Sequence, residues 1–337
     1  MRVVVVSSPG TVEVRRAPVP EPSPGELLVA MSVTGICGSD VHALHGRHPW
    51  MTLPYQPGHE VTGTVAAGGA GTAVPPGRQV AVNPLLSCGT CKRCRLGQFN
   101  LCREMNVFGC TVPGGGMADY FLIPEDRVQV LPDGMTDLQA ALIEPLSTPV
   151  HAVRLAGPDL TGLSVVILGA GAIGLLTLKA ARRHGATAVV MTDGSAGKRD
   201  HALRLGADAA VDALGPDAVA RLRAELGGNA DVVFDCVATQ PTMDQAVQLA
   251  LKGGTVMVVG VPTAPVTVAL PEVQDQQVRI QGSALYLARD YAESMRMLAD
   301  GSVRPEDFIT ARYPLADAAG AFLAASTGEQ VKVVVTA

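Results

Sequence analysis

The sequence predicts an irregular β-rich domain followed by a doubly wound parallel α/β sheet, on two observations. Seventeen of the 24 prolines precede Asp159, scattered among short Val-rich runs such as GELLVAMSV, GTVAA and RQVAV. That is the punctuation of a β-rich half. From Leu160 onward, strand-like and helix-like segments alternate regularly, which is the grammar of consecutive βαβ units.

The chain opens on MRVVVVSSPGTVEVRR, a four-Val run broken by a Pro-Gly turn, and so a strand rather than an export signal. The regular half runs SVVILGAG, then AIGLLTLKAARRHG; AVVMTD, then KRDHALRLG; AAVD, then DAVARLRAELG; DVVFDCV, then MDQAVQLALK; and last GGTVMVVG and VRIQGSA. Six strands separated by helices follow. The uncharged stretch from Leu160 to Leu178 carries Gly162, Gly169, Gly171 and Gly174 and changes period midway, so it is a strand, turn and helix and not a membrane span. Beyond Tyr286 come one amphipathic helix, ARDYAESMRMLADG, mixed elements and a final strand, QVKVVVTA. This tail lacks another βαβ unit and is expected to rejoin the first domain. The expected division is residues 1–149 with 286–337, and 150–285.

A chain of 337 residues with 47% hydrophobic residues is long enough for two cores. Its net charge of -5, with no Lys/Arg block, argues against nucleic acid or an anionic membrane as main partner. A small molecule is the default. Seven cysteines, an odd count, without an export signal point to a reducing, cytoplasmic compartment, where clustered thiolates bind metal more often than they pair.

Four of those cysteines, Cys88, Cys91, Cys94 and Cys102, are spaced C-x2-C-x2-C-x7-C, which lets one loop (about 86–104) wrap a tetrahedral Zn2+. All-thiolate coordination leaves no open position, so this zinc would be structural. Its residual negative charge has Lys92, Arg93, Arg95 and Arg103 nearby to offset it. Free thiols and an iron-sulfur cluster are the alternatives, and an RNA-gripping knuckle is disfavoured because Phe99 alone interleaves an aromatic ring.

Two further stretches carry unlike ligands: GICGSDVHALHG, with Cys37, Ser39, Asp40 and His42, and PGHE, with His59 and Glu60. A catalytic zinc uses three protein ligands and one open position. Glu144, in IEPLS, precedes the start of the βαβ region. Taken singly, each also fits a packed Cys or a hydrogen-bonded His.

GAGAIG places Gly169, Gly171 and Gly174 after a strand and at the start of a helix, with Asp193 nineteen positions beyond Gly174 at the end of the next strand. This is the context a dinucleotide site requires: a tight turn, close backbone approach to a pyrophosphate, helix N-terminal amides to receive it, and an acid for the adenosine ribose. A carboxylate at 193 favours NAD. Gly194, Ser195, Lys198 and Arg199 follow at once and keep NADP as the alternative.

Together GICGSDVH, PGHEVTGTV, the CGTCKRC loop, GGGMADYF, ALIEPLSTPVHA, GAGAIG and VVMTD resemble the zinc-containing medium-chain dehydrogenases, in the polyol branch of sorbitol, threonine and butanediol dehydrogenases. The resemblance spans essentially the whole chain. It implies a GroES-like catalytic domain plus a Rossmann domain, and a zinc- and NAD-dependent oxidation of a secondary alcohol: a diol, polyol or hydroxy amino acid. It implies Cys37 and His59 as catalytic-zinc ligands, with Glu60 or Glu144 third. Charge counting expects one carboxylate at a time, because a second would make the site anionic and weaken it as a Lewis acid.

The resemblance further places Ile173 beside the pyrophosphate, Lys198 near the adenosine ribose, and Val261 and Ser283 near the nicotinamide. Ser39 and His42 become the proton relay from the substrate hydroxyl, with Glu144 a competing base. His48, Trp50, Phe108, Thr148 and Tyr286 are candidate pocket-lining residues. Sorbitol-type pockets often carry Arg-Tyr where this chain has Leu285-Tyr286, a departure that weakens a sugar-polyol substrate. A homodimer or homotetramer is implied, through the edge strand of the nucleotide domain and the cysteine-rich lobe. A non-catalytic, zinc-stabilised NAD-binding protein of the same fold is the alternative function.

Overall fold

The Val-rich runs of the first part form strands because β-branched side chains lose little freedom on a pleated sheet and pack well there. The computed structural model describes all 337 residues, Met1–Ala337. They fall into two compact units: Met1–Pro145 with Ser294–Ala337, and Leu146–Glu293.

In the first unit a seven-stranded sheet is built around one long strand, Glu26–Ile36. It pairs antiparallel with Val61–Gly68, with Tyr120–Pro124, and with the C-terminal strand Lys332–Thr336. The tail from Ser294 onward therefore lies in the first unit, whereas residues 286–293, expected there too, fall in the second, as do 146–149. Val29, Val61, Val80, Phe121, Leu315 and Phe322 belong to one buried cluster here. Leu85–Leu86 pairs with Asn106–Val107 and closes the cysteine-rich loop at its base.

The second unit has a six-stranded parallel sheet: β1 (Ser164–Leu168), β2 (Ala188–Asp193), β3 (Ala209–Asp212), β4 (Ala230–Asp235), β5 (Ala250–Val258) and β6 (Arg279–Gly282). Their spatial order is β3-β2-β1-β4-β5-β6, the doubly wound order, with its switch point between β1 and β4. Val165, Val166, Ile167 and Leu168 of β1 are all fully buried, which explains a continuous apolar run where a one-sided strand would alternate. No helix is long and apolar enough to cross a membrane.

Candidate functional site

The strand Glu26–Ile36 delivers Cys37 to the start of the helix Gly38–Leu44. Asp40 in its first turn folds back, and its Oδ2 accepts the Cys37 amide at 2.9 Å. The neighbouring strand begins at Val61, directly after His59 and Glu60, and the Gly35 amide donates to the Glu60 carbonyl at 2.8 Å. Cys37, His59 and Glu60 are thereby brought together, with one ligand atom from each within 4.8 Å of the others. Thiolate, imidazole and carboxylate are a donor set that suits zinc.

Several groups around this set orient it, and of these only Asp40 stands out in the sequence. His59 Nδ1 lies 3.2 Å from Cys110 Sγ and 3.9 Å from Asp40 Oδ1. Tyr55 donates its hydroxyl to the same Asp40 oxygen at 2.9 Å. Burial pushes the Asp40 carboxyl upward and burial with Asp40 keeps Tyr55 protonated. Burial alone would lower the His59 pKa, but Cys110 and Asp40 outweigh it and hold the ring well above its ordinary value.

Lys332 is the largest departure from expectation. A lysine in the final strand ordinarily faces water, yet this one is buried and forms an ion pair with Glu60. Its Nζ also donates to the Ile36 carbonyl at 3.2 Å. The register Val333↔Ile36, Val334↔Gly35 brings it there. A Cβ at position 35 would collide with Glu60 Oε2 and come within 2.9 Å of Lys332 Cε, so only glycine leaves room for the pair. Burial lowers the lysine pKa, and the charges of Glu60 and Cys37 reverse that, raising it overall.

Glu144 lies in the first turn of the helix Ile143–Ala156, outside the 4.8 Å set, and its charge is felt at Lys332. Ser39 and His42 lie on the helix that begins after Cys37, three residues apart and so on one face. Of the pocket candidates, Trp50 is 69% exposed, while Phe108 packs in the first unit's core against Phe121 with ring centroids 5.5 Å apart. His48 Nδ1 accepts the Trp50 and Met51 amides, and Tyr286 is buried beside Tyr291. Thr148 lies within the helix Ile143–Ala156.

The four cysteines of the loop also converge. Cys91 Sγ is 3.6 Å from Cys94 Sγ, and Cys88 Sγ is 3.5 Å from Cys102 Sγ. All are free thiols, and the edge of a tetrahedron with Zn–S bonds of about 2.3 Å is about 3.8 Å. Backbone amides of Cys94 and Arg103 hold the Cys91 thiol down at about 6, whereas burial pushes Cys94 up to about 12. The side chains of the flanking arginines bond to other groups of the loop: Arg95 donates to the Thr90 carbonyl, Arg93 to Gln98, Arg103 to Glu104. Cys94→Ser is therefore expected to lower thermal stability while the surviving folded fraction keeps its chemistry, which melting curves paired with specific activity will check.

In the second unit, Gly169 takes φ +95° in the turn after β1, and a Cβ on Gly174 would collide with the Gly169 carbonyl, so strand and helix touch through glycine. Gly171 caps the helix Ala172–Arg183 without any side-chain cap hydrogen bond. Asp193 accepts the Ala170 amide at 2.9 Å and the Ser195 amide at 2.9 Å, which draws the end of β2 to the glycine turn. Ile173 lies in the first turn of that helix and Lys198 in the helix Ala196–Arg204. Val261 is 38% exposed just beyond β5, and the Ser283 Oγ after β6 is buried without a hydrogen-bond partner.

Comparison with known proteins places the chain among zinc-binding and alcohol dehydrogenases. A zinc-binding dehydrogenase family model matches residues 172–300, and an alcohol dehydrogenase GroES-like domain model matches residues 23–133. The chain is 34% identical to sorbitol dehydrogenase of Ovis aries over 98% of its own length and 95% of that protein. It is 34% identical to L-galactonate-5-dehydrogenase of Escherichia coli over 94% and 92% of the two chains. L-idonate 5-dehydrogenase of Escherichia coli superposes with a TM-score of 0.91 at 28% identity, covering 100% of this chain and 98% of the other.

Proposed function

Since this chain belongs to the zinc-containing medium-chain dehydrogenases, in their polyol branch, we propose that Cys37, His59 and Glu60 are the protein ligands of its catalytic zinc. The enzyme moves a hydride between a secondary alcohol and NAD. The observation that carries the assignment is the meeting of three unlike donors within 4.8 Å. His59 Nδ1 is committed to Cys110 and Asp40, so Nε2 is the nitrogen left to ligate, held in one orientation by those partners. Glu144 stays close without joining the set, ready to hold a water or the substrate hydroxyl. Cys88, Cys91, Cys94 and Cys102 hold a second, structural zinc.

When bound, zinc polarises the alcohol oxygen and NAD accepts the hydride. The protein must also dispose of the hydroxyl proton. Ser39 takes it first and His42, one helical turn on, passes it to solvent. His42 Nδ1 is buried without a hydrogen-bond partner, so this nitrogen is available for transfer. Burial, with Arg47 and His45 adding like charge, lowers the His42 pKa below its ordinary value of 6.5. The ring is then neutral and basic at neutral pH, and turnover falls as pH drops through that lowered pKa. His42→Ala is expected to reduce kcat and to move this acid limb, as a pH series of kcat will check. An unchanged profile removes His42 from the relay.

The glycine turn binds the pyrophosphate, with Ile173 beside it; Asp193 takes the adenosine ribose with Lys198 nearby, and Val261 and Ser283 flank the nicotinamide. The substrate is a vicinal diol, a polyol or a similar small secondary alcohol. The protein works in the cytoplasm as a homodimer or homotetramer, and β6, an outer strand of its sheet, is the edge open to a second copy. Metal analysis should find two zinc ions per chain, one for each donor cluster. NADH formation with a panel of diols, polyols and hydroxy amino acids then identifies the substrate. One zinc per chain and no NADH with any member of the panel overturns the proposal.

A further inference from the structure

The ends of β2 and β3 hold an ion pair that the nucleotide assignment above leaves unused. Asp193 closes β2, Asp212 closes β3, and the two acids are register partners across the parallel pair. Arg199, on the helix Ala196–Arg204, folds back onto both ends. Its Nη1 donates to the carbonyls of Asp193 at 2.8 Å and Gly194 at 3.0 Å, and lies 3.6 Å from Asp212 Oδ1. The same Asp212 oxygen accepts the Leu214 amide at 3.0 Å, which fixes its orientation.

Arg199 is thus a guanidinium at the end of the strand whose Asp193 would face the ribose 2′-substituent, already tied to two carbonyls and beside a carboxylate. We propose that Asp212 is a second determinant of dinucleotide choice: it sequesters Arg199 at the strand ends and so denies a 2′-phosphate its cationic partner. The proposal rests on the assignment of Asp193 to the adenosine ribose. Asp193 alone would discriminate by repelling phosphate, and a planar fork of N–H donors beside it is the group best suited to reverse that preference. Asp212 opposes this by holding a carboxylate 3.6 Å from the fork and adding a second negative charge at the same edge.

The test measures dissociation constants for NADH and NADPH by nucleotide fluorescence on the full-length, zinc-loaded protein. The variants are Asp193→Ser, Asp212→Asn, their combination, and the combination with Arg199→Ala. The combined variant is expected to bind NADPH at least about tenfold more tightly than Asp193→Ser alone, the worth of one charge-assisted contact. Arg199→Ala should erase that gain, and NADH affinity should follow position 193 only. If Arg199→Ala does not fold, Arg199→Gln takes its place. An unchanged NADPH affinity on adding Asp212→Asn, or a gain that survives loss of Arg199, overturns the proposal. Failure of the unsubstituted protein to bind NADH refutes the ribose assignment instead.

Discussion

Cys37→Ser is expected to lose one of the two zinc ions and to cut turnover at least about a thousandfold, since the Lewis acid supplies several kcal/mol to the reaction. The thiolate is the soft, anionic member of the donor set, and a serine hydroxyl is neither. In this variant the Asp40 carboxylate still accepts the amide of residue 37, and a serine hydroxyl can replace the sulfur as the other half of the capping box at the helix start. The variant should therefore fold and still bind NADH through the second unit. Metal analysis, NADH titration and steady-state rates on one preparation separate these effects, and a variant that keeps both zinc ions and its rate would remove Cys37 from the site.

Lys332→Met is expected to be the most destabilising single change outside the metal ligands. Glu60 and Lys332 are both nearly inaccessible, at 1% and 4% side-chain exposure. Removing one partner of a buried pair leaves the other uncompensated, a loss of about 3–5 kcal/mol. The loss should be largest in metal-depleted protein, because a bound zinc gives Glu60 another cation. Denaturant melts with and without zinc read this directly. Adding Glu60→Gln should restore stability and not activity, whereas equal melts in all three proteins would show that the pair contributes nothing. The lysine pKa is raised, so the pair's contribution is complete below the ordinary lysine value and is lost only as pH rises through the raised one.

Much of the fold was legible because its signals are local. A βαβ unit writes its strand as an apolar run and its helix as a 3.6-residue period, and six such runs became the six strands of the second unit. The glycine turn was equally plain, since Gly169 and Gly174 answer to a backbone angle and a close approach that neighbours in sequence create. The four-cysteine loop spans fifteen positions, and its thiols meet whatever the rest of the chain does.

The environment of the candidate metal centre was not legible in the same way. Glu60 and Glu144 are both plausible ligands by composition, and only the placement of Glu60 at the head of a strand beside Gly35 puts it in the compact set. Lys332 looks like the polar start of an edge strand until the register against Ile36 and Gly35 is known. Cys110 and Tyr55 join the site through contacts with His59 and Asp40 across loops, and Arg199 finds Asp212 only because β2 and β3 end level with each other.

By itself, then, the sequence determined the βαβ succession, the phosphate-binding turn, the thiol cluster and the family, each encoded within a short window. The tertiary structure alone decided which carboxylate lies with Cys37 and His59, and which buried lysine balances its charge. The physical reason is that these choices depend on strand register between segments that are separate in the chain, about 25 residues apart for Gly35 and Glu60 and 296 apart for Ile36 and Lys332, where a shift of one residue turns every side chain to the opposite face.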